Sequence, residues 1–121
     1  MSTKASSKPL SRAAIFATND VKTEVVNVPE WGGSVTVQGM TGAARDRWEQ
    51  MLVKAGETST ENARAKLVIV SVIDENGDPL FTEDDIIALG KKSGNALTRI
   101  SNVAQRLSRL GQSDLDDAVK N

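Results

Sequence analysis

The chain has 121 residues and a mass of 12.9 kDa, with 39% hydrophobic residues, 26% charged residues and a formal net charge of −1. Those values describe one globular domain with room for a modest core, neither a disordered chain nor a membrane-spanning one. His, Cys and Tyr are absent and fifteen basic residues face sixteen acidic ones, which removes the commonest general acid–base, thiolate chemistry, disulfides and zinc sites built on His or Cys. It also leaves no basic surplus of the kind that grips a phosphate backbone.

The N-terminal stretch MSTKASSKPLSRAAIFA carries three positive charges but lacks the apolar core and cleavage site of a secretory signal. No apolar run approaches the ~18–20 residues that span a bilayer. A cytoplasmic protein with no membrane partner is therefore expected. Residues 1–9, rich in Ser and Lys, read as a flexible lead-in, and residues 10–121 as a single domain.

Ser11 is placed to cap a short helix over 12–17, which is too short to persist without tertiary support. Val21–Val28 and Ser34–Gln38 then read as two strands around a Pro-Glu-Trp-Gly-Gly turn, a β-hairpin over about 21–39. Val35 and Val37 share one of its faces. From Thr41 the period changes. Ala44, Trp48, Met51, Leu52 and Ala55 mark one face of a helix over 42–55, capped by Thr41 and stopped by Gly56.

The segment TENARAKLVIVSVID is ambiguous: its first half is helical in character, with Thr60 as a cap, and its β-branched second half also suits a buried strand. A helix over 61–73 is favoured, with the strand left open. Asp74–Pro79 is a turn. Thr82 caps a helix over 83–90 whose first turn is acidic. Ser93 caps the clearest helix, 94–110, with the stripe Leu97, Ile100, Val103, Ala104, Leu107 and Leu110, ended by Gly111. A last short helix is expected over 114–119. The fold class is α+β, mainly α: an N-terminal β-hairpin followed by a small helical bundle.

Candidate chemistry is thin. Asp74-Glu-Asn-Gly-Asp78 suggests a calcium loop, but the sixth position, where the sharp turn needs Gly, is Pro79. Ser93 beside Lys92 is a cap rather than a nucleophile pair, since adjacent helical residues do not face each other. The glycines follow no phosphate-loop spacing. No catalytic, cofactor or metal residue is assigned.

Charge and aromatic placement say more. Residues 74–85 hold six acids and no base; residues 91–109 hold five bases and no acid, with Lys92, Arg99 and Arg106 spaced by sevens and Arg109 beyond. This basic face is either solvated, neutralised by the preceding acidic segment, or offered to an acidic partner. Trp31, one of four aromatic residues, either folds back onto the helices or anchors a partner. Trp48 belongs to the core. Trp31, Lys92, Arg99, Arg106 and Arg109 are the candidate partner-binding residues.

The motifs Val28-Pro-Glu-Trp-Gly-Gly33, Thr41-Gly-Ala-Ala-Arg-Asp46 and Asp74-Glu-Asn-Gly…Leu80-Phe-Thr82, within a likeness running from about Val21 to Leu110, resemble the small tail assembly chaperones of long-tailed bacteriophages and prophages. The resemblance implies a non-enzymatic protein of the host cytoplasm, absent from the mature virion. Its partners would be the tape measure protein, which it keeps soluble, and the tail tube protein, whose polymerisation it promotes. Self-association in many copies is also implied. Such families often make a longer product by ribosomal slippage, and Lys120-Asn121 can be encoded by a slippery AAA-AAC run, which the gene sequence decides. The competing readings are a structural virion component, such as a head–tail connector or tube accessory, and a nucleic-acid-binding regulator using residues 91–109.

Overall fold

The computed structural model describes residues 8–54, 57–58 and 61–109. Helix α1 (Arg12–Ala17) starts where Ser11 Oγ accepts the Ala14 N–H at 3.0 Å. It stops at extended Thr18, whose hydroxyl donates to the Ile15 carbonyl at 2.7 Å. No residue of α1 is buried.

Strands β1 (Thr23–Val28) and β2 (Gly33–Gln38) form the expected antiparallel hairpin, in the register Val26↔Val35 and Val28↔Gly33. The turn is one 3₁₀ turn, Pro29–Trp31, closed by Gly32 at φ +75°, a conformation that favours a residue without a Cβ. Alternation sends Val26, Val28 and Val37 into the core and Val25 out to solvent. A third strand, β5 (Val72–Ile73), lies beside β2 in the register Val37↔Val72, so the sheet order is β1-β2-β5.

Helix α2 (Gly42–Leu52) is capped by Thr41 Oγ1, which accepts the Ala44 N–H at 3.1 Å, and buries Ala44, Trp48, Met51 and Leu52. It ends earlier than the helix expected over 42–55. Val53 is already extended, and Val53–Lys54 (β3) pairs with Glu57–Thr58 (β4) in a small antiparallel ribbon. Pairing with a neighbouring strand outcompetes the last helical turn. Ala55 and Gly56 lie outside the described residues.

The ambiguous segment divides. Helix α3 (Ala63–Ser71) follows Asn62, which is left-handed at φ 55°, and gives way at Val72 to β5. The helical reading of 61–73 thus holds for 63–71 and the strand reading for 72–73, because only the last two residues reach the edge of β2. Thr60 lies outside the described residues. From Ala65 to Ser71 no residue is more than 7% exposed. A helix buried all round sits at the centre of a fold, and α3 packs against α2 and against the two helices that follow it, Ile86–Gly90 and Gly94–Leu107.

The turn at 74–79 is organised by Asp74, whose Oδ1 accepts the N–H groups of Asn76 (2.8 Å) and Asp78 (3.0 Å), with Gly77 at φ +84°. The predicted 83–90 helix is a 3₁₀ turn, Glu83–Asp85, running into α4 (Ile86–Gly90), and the Thr82 N–H donates to Asp85 Oδ2 at 2.8 Å. Helix α5 (Gly94–Leu107) begins where Ser93 Oγ accepts the Ala96 N–H at 3.3 Å, and buries Ala96, Leu97, Ile100, Ser101 and Ala104. It stops short of the predicted residue 110, with Arg109 turned to φ 56°. Leu110, Gly111, the 114–119 helix and residues 1–7 lie outside the described residues.

The hairpin is fastened to the end of α5. The Met40 N–H donates to Ser108 Oγ at 2.9 Å. Buried Gly39 lies so close that a Cβ there would stand 2.8 Å from the Leu107 carbonyl oxygen. Gly39→Ala is therefore expected to cost about 1–3 kcal/mol by forcing backbone apart, read as a lower urea midpoint at unchanged m-value. Ser71 is fully buried and its Oγ finds no hydrogen-bond partner among the described residues. Ser71→Ala should accordingly stabilise the protein by roughly 1 kcal/mol, since an unpaired buried hydroxyl is removed; a lower thermal midpoint would show that the hydroxyl is satisfied after all.

Candidate interaction surface

Helix α5 packs on β1 and β2, and its outer face brings three of the five sequence-predicted residues together. Arg99 forks onto Glu30 of the hairpin turn, Nη1 to Oε1 at 2.7 Å and Nη2 to Oε2 at 2.9 Å. About two turns further along, Arg106 Nη2 donates to both carboxylate oxygens of Glu24 in β1, at 2.8 and 2.9 Å. Trp31 lies next to Glu30 and packs, half-buried, against the core. Its indole Nε1 is buried without a hydrogen-bond partner among the described residues. Lys92, before α5, and Arg109, after it, are exposed, and neither forms an ion pair among the described residues.

Trp31 folds back onto the core but keeps part of its surface exposed. The basic face is neutralised in part, but by Glu24 and Glu30 of the hairpin rather than by the acids of 74–85. Glu24 shares the inward face of β1 with Val26 and Val28 by simple alternation, so its approach to α5 had a signal in the sequence. Glu30, in an irregular turn, had none.

The Arg99 hydrogen bonds, followed by a backbone hydrogen bond at Glu30 itself, hold the Glu30 carboxyl well down, from 4.5 to about 2. The same pairing raises Arg99. Both side chains face solvent, so the fork positions the turn more than it stabilises the fold. A carboxyl depressed in the native state contributes fully above its unfolded value, and that contribution is lost as pH falls through the native one.

A second surface was missed by sequence reasoning. Between α2, α3 and α4 lies a groove of ≈ 370 Å³ whose lining includes Met51, Val53, Glu61, Glu83, Ile86 and Ile87. Val53 and Ile87 are 48% and 61% exposed. Among the described residues no three His, Cys, Asp or Glu side chains are grouped to hold a metal ion. Asp74, the one carboxylate of the suspected calcium loop with a defined role, is spent on backbone N–H groups. No helix of the described residues is long and apolar enough to cross a membrane.

An α+β fold with a short hairpin laid on a helical bundle, offering grooves and charged faces, is the scaffold in view. A sequence model of phage tail assembly chaperones matches residues 10–121, and the chain belongs to that family. It is also similar to the solved structure of the bacteriophage HK97 tail assembly chaperone, at 26% identity over 72% of this chain and 85% of that one, with a TM-score of 0.54. No curated protein matches it. The family's role is that of a chaperone, which is not an enzymatic one.

Glu30→Gln should flatten the acid limb of the stability curve. The gap in urea midpoint between wild type and variant, open at about pH 6, is expected to close toward about pH 2. A gap of constant size across that range would show that the fork does not act through this carboxylate.

Proposed function

We propose that the chain acts in the host cytoplasm during tail assembly. There it binds the tape measure protein, keeps it soluble, promotes polymerisation of the tail tube protein around it, and leaves before the virion is complete. The observation that carries this reading is the family match over residues 10–121. The surface supports it. Leu10, Phe16, Val25, Leu80 and Ile87 are each more than half exposed, which suits a protein whose task is to cover apolar stripes on another. Coating a long partner requires many copies, so self-association belongs to the same proposal, as does a longer product made by slippage at Lys120-Asn121.

Partner contact is assigned to Trp31, Lys92, Arg99, Arg106 and Arg109. Arg99 and Arg106 reach it as parts of ion pairs, so an acidic partner has to displace Glu30 and Glu24 or bind alongside them. Lys92 and Arg109 present their charges directly.

Co-expression with the tape measure protein of the same genome, followed by pull-down and light scattering, tests the reading. A soluble multi-copy complex is expected, with the tape measure protein insoluble alone. Tape measure protein that is soluble by itself and does not associate would overturn it, and recovery of the chain in purified particles would favour a virion component. Trp31→Ala is expected to keep the fold and weaken that complex severalfold; unfolding would make Trp31 a core residue only.

A further inference from the structure

Helix α1 is out of balance with its own chain. All six of its residues are exposed, yet Ile15 and Phe16 are 49% and 71% exposed, and Leu10 just before them is 67% exposed. A helix this short does not hold itself in water. The Ser11 cap and the Arg12 guanidinium, 4.9 Å from the Phe16 ring centroid, order it locally without burying it. The segment is also basic: Lys4, Lys8 and Arg12 precede the first acid, Asp20.

The groove between α2, α3 and α4 has the complementary character. Met51 and Ile86 line it, Val53 and Ile87 stand exposed at it, and Glu61 and Glu83 bring negative charge beside the buried Lys66. Glu83 belongs to the segment 74–85, which carries six acids and no base. Among the described residues no ion pair engages Glu75, Asp78, Glu83 or Asp84. Arg12 and Phe16 are four residues apart, so apolar ring and cation lie on one face of α1. That face matches a groove that exposes Val53 and Ile87 and has the Glu83 carboxylate at its rim.

We propose that α1 of one copy seats in the α2–α3–α4 groove of a second copy, Ile15 and Phe16 against Val53, Ile86 and Ile87, with Arg12 toward Glu83. The arm and the groove are different patches, so the contact is head-to-tail and repeats from copy to copy, building a ring or an open chain. The inference rests on the multi-copy part of the proposed function and assigns its interface; its test needs no tail protein, so the two fail separately.

The chain has no cysteine, so Phe16→Cys and Ile87→Cys place thiols at the two patches and nowhere else. Equal amounts of the two single variants, mixed and oxidised, should yield a disulfide-linked heterodimer. The double variant should yield a ladder of multimers, and Phe16→Cys paired with Asn102→Cys on the exposed face of α5 should yield neither. About 1 M salt, which screens the Arg12 attraction, should cut the ladder severalfold. In light scattering, Phe16→Asp and Ile87→Asp should each lower the mass of the full chain at high concentration with unchanged far-ultraviolet circular dichroism, because both side chains are exposed. A double variant that closes within one chain would assign the groove to its own arm and overturn the proposal. So would cross-linking no better than the Asn102→Cys control, or a wild-type mass that both Asp variants leave unchanged.

Discussion

The fold depends on the burial of α3 on every side. Its sequence, ARAKLVIVS, leaves no solvent face from Ala65 onward, so the remaining elements have to surround it. Helices α2, α4 and α5 take three flanks. The chain then leaves α3 directly as β5, which carries the same continuous apolar run into the sheet through Val37↔Val72. The hairpin is thereby tied to the bundle from two directions, by β5 at the edge of β2 and by α5 beneath both strands. Removing bulk from α3 would leave a void that no single neighbour can fill, since each is already held by another.

Charge is arranged differently on the two sides of this core. On the α5 side, basic residues meet hairpin acids in Arg99–Glu30 and Arg106–Glu24, both at hydrogen-bonding distance. Exposed pairs of this kind add little stability, but two of them, widely spaced along α5, set the angle at which the hairpin lies and keep the Pro29–Trp31 turn folded down. On the α4 side the acids of 74–85 serve turns and caps, through Asp74 and Asp85, and the rest face solvent. A near-neutral net charge therefore conceals one partly compensated basic face and one acidic segment whose exposed carboxylates form no ion pair among the described residues.

The sequence was readable where local chemistry decides and opaque where distant residues do. Ser11, Thr41 and Ser93 each cap the helix assigned to them, because a side-chain oxygen and an N–H three residues on suffice. The α5 stripe and the β1–β2 alternation were equally plain. By contrast, the early end of α2 at Leu52 depends on pairing with β4, and the switch from helix to strand at Val72 depends on β2. β2 is far back in the chain, β3 and β4 are neighbours in sequence but too short at two residues each to show an alternation, and β-branched runs permit both states. The basic residues were found, but their partners lie 69 and 82 positions away, beyond any periodicity. The groove beside α4 was invisible for the same reason, since its lining comes from three separate helices.

The exposure of α1 follows from how the core is closed. With α3 enclosed by α2, α4, α5 and the sheet, the core is closed without α1, which is tethered to β1 by the few residues after Ala17 and buries none of its own. Also uncovered is the groove bordered by Val53 and Ile87, on elements far along the chain. An apolar arm and an apolar groove that one chain keeps apart are both costly in water, and the cost falls for both when copies meet. In a family defined by assembly, the apolar surface a single copy fails to bury is the natural place for contact.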